Sequence, residues 1–383
     1  MDKIFLDNAS TTQINQEVNN FISKINLENF YNPSALYHES VLVKQKIEDA
    51  QKVLARYLNV NAKNIIFTSG ATESNNLAIM GSLTSKKGAE YIFSSGEHPS
   101  VYNVAKALEQ KGYIVKFIKL LFDGTIDIEH LKSLLSENTH FVSIMYVNNE
   151  TGAINNIEQI SKLIKAYNNK IIFHVDGVQA FGKIKCDLAK LNVDAFSISA
   201  HKFYGPKGVG ALYYKNLNAL KPQIIGGGQQ YNFRSGTENV SGILGMTLAS
   251  TLVSSSLEEN YNKVMSFRKI FIDAINNHLK NVGYIINQSG NNSPYILSIS
   301  FKGIRSEVLM HMLNEKGIII GTGSACSSKK QENRVLNSLG RSLEYVKGSV
   351  RISFSVNNTQ EQIIKASKIF TQTVLELYSN ISK

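Results

Sequence analysis

The chain contains 383 residues, of which 43% are hydrophobic and 19% are charged, and its formal net charge is +11. The length predicts two or three structural units, and the composition is that of an ordinary soluble globular protein. No run of about eighteen or more apolar residues occurs, so a membrane span is not expected. Two cysteines, Cys186 and Cys326, are too few for a disulfide scaffold or a four-cysteine metal site.

The basic residues are scattered along the chain and form no tract of five or more. This pattern predicts a solvated basic surface rather than a dedicated nucleic-acid site, and it leaves anionic partners open. The N-terminus, from Met1 to Ile4, lacks the charged and then apolar pattern of a signal peptide. We therefore expect a cytoplasmic protein.

Strand-like and helix-like segments alternate through the first half of the chain. The apolar, β-rich segments are residues 64–68, 90–94, 114–118, 140–146, 170–175 and 194–199. Helical patterns lie between them at residues 72–83, 101–110 and 157–167. This alternation predicts an α/β fold with a mostly parallel sheet covered by helices on both faces. In such a fold, ligands bind beyond the carboxyl ends of the strands.

A long helical pattern follows Thr237 and extends towards Lys280, with apolar residues at the spacing of a packing helix. Beyond it, short strands are predicted near residues 298–301 and 350–354, and helices near 307–314 and 359–377. We therefore predict two domains. The large domain comprises residues 14–255, and a smaller α+β domain comprises residues 1–13 and 256–383.

The first candidate site is the turn at Gly70, Ala71 and Thr72, where a strand ends and a helix begins. The N-terminus of a helix binds phosphate through its unpaired N–H groups and the positive end of its dipole. An ordinary helix cap around Thr72 accounts for the same residues, so this segment alone leaves both interpretations open.

The second candidate is Asp176, at the end of the apolar strand that begins at residue 170. A carboxylate is costly to bury unless it pairs with a cation. A protonated pyridine nitrogen is such a cation, and the pairing turns the ring into an electron sink. An aspartate that caps the next helix is the alternative.

The third candidate is Lys202, in the run Ser-Ala-His-Lys at residues 199–202, before a glycine-rich turn. A lysine that forms a Schiff base needs a fixed position and a lowered pKa, which the end of a strand in a cleft supplies. A lone lysine is more often a solvated surface group. The case for Lys202 therefore depends on Asp176 and the Gly70 turn, with Ser199 and His201 beside it to hold a phosphate.

Together these segments resemble the cysteine desulfurases, the NifS/IscS-like branch of the class V pyridoxal-phosphate enzymes of fold type I. The resemblance extends from Phe5 to about Arg351. Its further motifs lie at residues 5–12, 32–34 with His38, 97–98, 147–152, 226–229 and 234–239. The fold it implies has a large domain, with a mostly parallel mixed sheet covered by helices, and a smaller α+β domain.

The resemblance also implies roles for individual residues. Lys202 corresponds to the lysine that carries pyridoxal 5'-phosphate, Asp176 to the partner of the pyridine nitrogen, and Gln179 to the partner of the phenolic oxygen. His98 corresponds to the imidazole that stacks on the ring and transfers protons. The other cofactor-binding positions are Ala71, Thr72, Asn149, Ser199 and His201, with Thr237 supplied by the second subunit of a homodimer.

Cys326 separates this family from its aminotransferase relatives. It lies in a Gly/Ser-rich segment suited to a mobile loop, and Lys329 and Lys330 nearby favour the nucleophilic thiolate. Arg351 corresponds to the arginine that forks onto the substrate carboxylate, and Asn32 and Asn149 are the other predicted substrate-binding residues. Cys186, by contrast, is predicted to be a small buried hydrophobe.

The activity implied is the removal of sulfur from L-cysteine, giving L-alanine and a persulfide on Cys326. The sulfur would pass to an acceptor protein, either an iron–sulfur scaffold or a tRNA-thiolating enzyme. A selenocysteine lyase and a class V aminotransferase are the alternatives, and a non-catalytic sulfur-relay subunit is the alternative from another class.

Two features depart from the family pattern. Residues 331–336 lack the proline that often follows the cysteine loop and form a shorter segment, which leaves the choice of acceptor open. Gly177 and Val178 stand where family members tend to have alanines.

Overall fold

The computed structural model describes residues 3–288, 290–322 and 333–381, and the following elements refer to those ranges. The strands are β1 Ile4–Leu6, β2 Ile65–Thr68, β3 Glu90–Ser94, β4 Ile114–Ile118, β5 Thr139–Met145, β6 Ile172–Asp176, β7 Ala195–Ser199, β8 Gly210–Tyr214, β9 Tyr284–Ile286, β10 Ile296–Phe301, β11 Ile318–Thr322 and β12 Ser349–Ser353. The helices are α1 Gln16–Glu28, α2 His38–Leu58, α3 Ala71–Gly81, α4 Pro99–Gln110, α5 Ile128–Leu134, α6 Ile157–Tyr167, α7 Leu188–Leu191, α8 Val240–Ser255, α9 Leu257–His278, α10 Ser306–Glu315, α11 Arg334–Ser338, α12 Leu343–Val346 and α13 Gln360–Ile381.

The larger sheet has seven strands in the order β2-β8-β7-β6-β5-β3-β4. The strands from β7 across to β4 are parallel to their neighbours, whereas β8 is antiparallel to both β7 and β2. All residues of β7 and β8 are buried, as expected for strands that helices cover on both faces. The ends of β5, β6 and β7 therefore meet at one edge, where Asp176 and Ser199 lie.

The smaller sheet has five strands in the order β1-β11-β12-β10-β9. Strand β1 pairs in parallel with β11, so the start of the chain joins a sheet formed mainly by its last hundred residues or so. A second apolar core lies against this sheet and includes Phe271, Phe301 and Phe370. This core is separate from the apolar core that lies against the larger sheet, and the division into two domains, with its boundaries, stays a prediction.

The six predicted strands of the first half are present with shifts of at most two residues, and the helix at 157–167 has the predicted bounds. Strand β8 was missed, because its glycine-rich start resembles a turn. The predicted long helix after Thr237 is instead two helices, α8 and α9, which bend by 73° at a short break. The reason is that α8 packs against α1 and α2, whereas α9 packs against α13 beside the smaller sheet.

Within the described ranges, no single helix is long and apolar enough to cross a membrane. The bent pair α8 and α9 would meet that criterion only by combined length and composition. The cytoplasmic location stays a prediction.

Candidate active site

A cavity of about 650 Å³ lies at the carboxyl ends of β5, β6 and β7. Ten of the residues predicted from the sequence line it: Ala71, Thr72, His98, Asn149, Asp176, Gln179, Ser199, His201, Lys202 and Arg351. The cavity also takes residues from the N-terminal segment and from β12, so both sheets contribute to one site.

The Gly70 turn forms an anion cradle at one end of the cavity. Gly70 precedes α3 with φ of 152°, a backbone conformation that favours glycine, and it supplies no side chain to cap the first N–H groups of the helix. Strand β8 passes so close that a Cβ on Gly210 would lie 2.8 Å from the Cα of Gly70. The structure therefore shows no side-chain cap that would support the alternative interpretation of Thr72 as part of an ordinary helix cap. The uncapped N–H groups at the start of α3 suit a phosphate.

Lys202 stands just beyond β7, at the end of a short 3-10 turn that begins at Ala200. Its Nζ donates hydrogen bonds of 2.7 Å to the carbonyl oxygens of Ala9 and Ser10. The N-terminal segment thus fixes the amine over the cavity, which is what a lysine that must react with one carbonyl group requires.

Asp176 ends β6 and is 3% exposed. Its Oδ2 accepts a hydrogen bond of 2.9 Å from Asn75 Nδ2, and its Oδ1 accepts one of 3.1 Å from the N–H of Val178. In the described part of the chain no basic side chain forms an ion pair with it. A buried carboxylate that lines the cavity and has no ion pair within the described ranges suits a protonated pyridine nitrogen.

His98 caps α4 and joins a chain of hydrogen bonds that reaches Asp176. Its Nδ1 accepts from the N–H of Ser100 at 3.1 Å and lies 2.9 Å from the Oγ of the same residue. That Oγ in turn accepts from Asn75 Nδ2 at 2.9 Å. Burial lowers the pKa of His98, with the charge of Asp176 opposing. The ring is therefore neutral at pH 7, with its proton on Nε2.

His201 is also neutral, because burial and the neighbouring charge of Lys202 lower its pKa to about 4. Its Nδ1 lies 3.1 Å from the Oγ1 of Thr11. Ser199, the last residue of β7, is buried at the cavity wall. Both side chains therefore present uncharged hydrogen-bonding groups near the anion cradle.

Arg351 extends from β12 into the cavity with a buried side chain. Its Nη1 donates to the carbonyl oxygen of Asn149 at 2.9 Å, and its Nη2 donates to Asp7 Oδ1 at 2.8 Å and to Ser10 Oγ at 2.7 Å. Within the described residues its buried Nε has no hydrogen-bond partner. A held guanidinium with an unused donor is suited to a carboxylate ligand.

Two acids at or beside this site, the buried Glu97 and the half-buried Glu150, were given no role by the sequence. Glu97 accepts a hydrogen bond from the N–H of Met145, and burial followed by the charge of Asp176 raises its pKa well above the usual value. Burial raises the pKa of Glu150 to about 7 against the opposing charges of Arg351 and Arg334. Arg334 lies over the ring of Tyr102 and donates to backbone carbonyls on either side of Gly96.

Two predicted residues do not line the cavity, and a third lies outside the part of the chain that the structure describes. Asn32 and Thr237 are exposed and do not line it in their own chain. Cys326 lies outside the described residues. The roles given to these three residues stay predictions, as does the contribution of Thr237 from a second subunit. Cys186 is buried, and burial raises the pKa of its thiol far above the ordinary value, so it is an inert residue.

The glycine at position 177 has a local cause. A Cβ at that position would lie 1.9 Å from Cζ of Phe196, whose ring on β7 occupies the space. An alanine there therefore requires a smaller side chain at position 196.

Comparison with known proteins assigns the chain to a family. The model of the class V aminotransferase family matches residues 4–365. A cysteine desulfurase IscS from Dictyoglomus turgidum is 37% identical, over 94% of this chain and 92% of that protein. A putative cysteine desulfurase IscS 1 from Bacillus subtilis is 34% identical, over 98% of this chain and 100% of that protein.

Solved structures agree. A NifS-like protein superposes with a TM-score of 0.92 at 32% identity, covering 98% of this chain and all of that one. SspA, solved in complex with cysteine, superposes with a TM-score of 0.79 at 29% identity, covering 93% of this chain and 99% of that one.

The fold and the cavity define a class V enzyme of the aminotransferase type, with fold type I. Within that class, the chain belongs to the cysteine desulfurase family. The family, the fold class and the enzyme class that the sequence motifs predicted are thereby confirmed. The enzymes of this class depend on pyridoxal 5'-phosphate. The anion cradle, the buried Asp176 and the fixed Lys202 fit that cofactor at its phosphate, ring nitrogen and aldehyde carbon.

Proposed function

We propose that this protein binds pyridoxal 5'-phosphate on Lys202 and takes sulfur from L-cysteine, leaving L-alanine and a persulfide on Cys326. One observation carries the proposal. The cavity brings together, at a helix N-terminus, an anchored lysine, a buried carboxylate with no ion pair among the described residues, and an arginine that is held at the wall. This set matches one phosphate, one ring nitrogen and one substrate carboxylate.

The cofactor, when bound, supplies an electron sink that stabilises negative charge at the α-carbon of the substrate. The residues of this chain supply orientation and proton transfer. Asp176 holds its charge against the ring nitrogen, and Gln179 donates to the phenolic oxygen. Ala71, Thr72, Ser199 and His201 hold the phosphate at the start of α3.

Substrate binding falls to Arg351. Its guanidinium is held by Asn149, Asp7 and Ser10 at the wall of the cavity, where the carboxylate of L-cysteine would bind. Asn149 and Asn32 are the other proposed substrate contacts. With the substrate in place, the Nζ of Lys202 removes the α-proton. His98, neutral with a proton on Nε2, is oriented to donate that proton into the cavity.

Sulfur transfer falls to Cys326. Its thiolate sulfur bonds to the substrate sulfur as the carbon–sulfur bond breaks, and the electron pair of that bond stays with the carbon portion. That portion gains one proton at the β-carbon, receives the α-proton back from Lys202, and leaves as alanine. The persulfide then passes to an acceptor protein, which we propose to be an iron–sulfur scaffold or a tRNA-thiolating enzyme.

The test supplies L-cysteine and a reductant and measures alanine and sulfide for three proteins: wild type, Cys326→Ala and Cys186→Ala. The wild type and Cys186→Ala are both expected to release alanine and sulfide, and the two proteins are expected to release the same amounts. The reason is that Cys186 is buried away from the cavity. Cys326→Ala is expected to lose nearly all of its sulfide release. A wild-type protein that makes no alanine would contradict the desulfurase activity. Full sulfide release by Cys326→Ala would contradict the persulfide step.

The same samples separate the alternatives. Transfer of the amino group to a keto acid would indicate an aminotransferase. Turnover of selenocysteine with no turnover of cysteine would indicate a lyase.

A further inference from the structure

A buried lysine that the mechanism does not use lies directly behind Gln179. Lys183 is 5% exposed, and its Nζ donates a hydrogen bond of 2.6 Å to Gln179 Oε1. The same Nζ lies 5.7 Å from the ring centre of Tyr295, at a distance typical of a cation–π contact. Lys183 therefore contacts the wall of the cavity from outside, without lining it.

The two polar contacts of Gln179 determine how its amide is turned. A lysine has only donors, so the atom that faces Lys183 is the amide oxygen. The carbonyl oxygen of Ala9 only accepts, so the atom that faces it, at 2.8 Å, is the amide nitrogen. One N–H of that nitrogen donates to the carbonyl oxygen of Ala9. The other N–H is at the wall of the cavity, because the side chain of Gln179 is 3% exposed and lines it.

Packing alone does not explain an amine at this position. A methionine has nearly the same length and would fill the space without the cost of removing a polar group from water. Burial, followed by the charges of Lys202 and Arg351, lowers the pKa of Lys183 to about 7. The amine is thus kept near two other cationic groups at an energetic cost, which is offset only if its contact with Gln179 matters.

We propose that Lys183 is a positioning residue that locks the amide of Gln179, so that its second N–H points at the phenolic oxygen of the cofactor. This inference rests on the proposed cofactor site. Lys183 also places a partial positive charge behind that N–H, in a neighbourhood that holds the cations Lys202 and Arg351 and, among the described residues, the titratable groups His201 and Tyr295. Its charge and its contact with Gln179 both favour the proton-free form of the Lys202 nitrogen in the loaded enzyme.

The experiment titrates the visible absorbance of the loaded enzyme against pH for wild type, Lys183→Met and Lys185→Met. Lys185 is exposed and two residues away, so its replacement removes the same charge without touching Gln179. Lys183→Met is expected to raise the titration midpoint by about one unit, the size of one net hydrogen bond. Lys185→Met is expected to match wild type. The KM for L-cysteine is expected to stay unchanged in both variants, since neither residue contacts the substrate.

A midpoint of Lys183→Met that superimposes on those of wild type and Lys185→Met would overturn the inference. If Lys183→Met does not fold, Lys183→Leu removes the same charge and the same donor and carries the same expectation. A wild-type protein that gains no visible absorbance with pyridoxal 5'-phosphate would instead refute the proposed cofactor site, so the two failures are distinguishable.

Discussion

The hydrogen bonds around Arg351 indicate how the carboxylate of the substrate would be bound. Three hydrogen bonds fix its two terminal nitrogens to Asn149, Asp7 and Ser10, and its side chain is 8% exposed. The planar, fixed guanidinium offers directional donors, whereas a lysine would offer a single mobile charge.

Replacing Arg351 with lysine is expected to raise the KM for L-cysteine by roughly tenfold, about 1.4 kcal/mol, with a smaller effect on kcat. The reason is that the lysine keeps the charge but loses the planar, fixed donors. Steady-state kinetics with alanine detection is the measurement, and Arg341→Lys is the matched control, because Arg341 is a buried arginine outside the cavity that lies over Phe122. An unchanged KM in Arg351→Lys would remove Arg351 from the substrate site.

At the same scale, sequence reasoning found the reacting groups and missed the residues that orient them. Asn75 donates to both Asp176 and Ser100, and Ser100 contacts His98. Asn75 lies four residues after Ala71, on the same face of α3, so helical spacing was the available signal. Ser100 gave none, because a serine in the first turn of a helix is common.

Strand β6 is held at its centre by a buried histidine. His174 Nδ1 lies 2.8 Å from Ser143 Oγ on β5, and its Nε2 lies 3.1 Å from Ser197 Oγ on β7, so one ring bridges three strands. Burial lowers its pKa from 6.5 to about 3. The folded protein therefore holds this ring neutral across a pH range in which the unfolded chain binds a proton.

The sign of the pH effect follows from that difference. Between pH 3 and pH 6.5 the unfolded state binds more protons, so stability rises with pH in this window and is lost as the pH falls below 6.5. Between pH 7 and pH 5, His174 is expected to cost the wild type about 2 kcal/mol. Urea unfolding at both pH values should show that His174→Gln loses less stability than wild type. His278→Gln, which removes an exposed histidine, serves as the control. Equal losses in all three proteins would contradict the assignment.

The contact between Gly177, which follows β6, and Phe196 on β7 leads to a second prediction. Gly177→Ala forces a Cβ into the ring of Phe196 and is expected to destabilise the fold by about 1–3 kcal/mol. In the Phe196→Leu background the ring is absent, so the same change should cost less. A double-mutant cycle of unfolding free energies measures this coupling. Strictly additive effects would show that the two residues do not compete for the space.

The whole molecule presents apolar surface that one chain leaves uncovered. Leu27, Phe30, Leu36 and Ile225 are 79%, 71%, 96% and 87% exposed. The segments that carry Leu36 and Ile225 are linked by a contact between Gln229 and Ser34. Exposed apolar side chains concentrated in one region are typical of a protein interface, and we propose that a second copy of this chain covers them.

Sedimentation of the purified protein is expected to show a dimer. Leu36→Ser with Ile225→Ser should shift it towards monomer and lower activity, because the proposed phosphate contact of Thr237 comes from the partner. Ile364→Ser, which changes a half-exposed residue of α13, is the control and should remain dimeric. A fully active monomer would refute both the dimer and the role of Thr237.

The parts of the fold that sequence predicted are those set by local pattern. Continuous apolar runs predicted β3 and β4 to the residue, and the family resemblance carried by the sequence motifs implied ten residues of the cavity wall. The parts it missed depend on distant packing. The bend between α8 and α9 arises because α8 packs against α1 and α2, whereas α9 packs against α13 beside the smaller sheet. The contact of Lys183 with Gln179 exists because both lie behind the same wall.

The central claim is that sulfur leaves L-cysteine for Cys326. The most direct test mixes the loaded enzyme with one equivalent of L-cysteine, without reductant, and maps the product by mass spectrometry of its peptides. The account predicts one equivalent of alanine and one added sulfur atom on the peptide that contains Cys326, with none on the peptide that contains Cys186. Alanine formed with no sulfur on Cys326, or sulfur found on Cys186 instead, would contradict it.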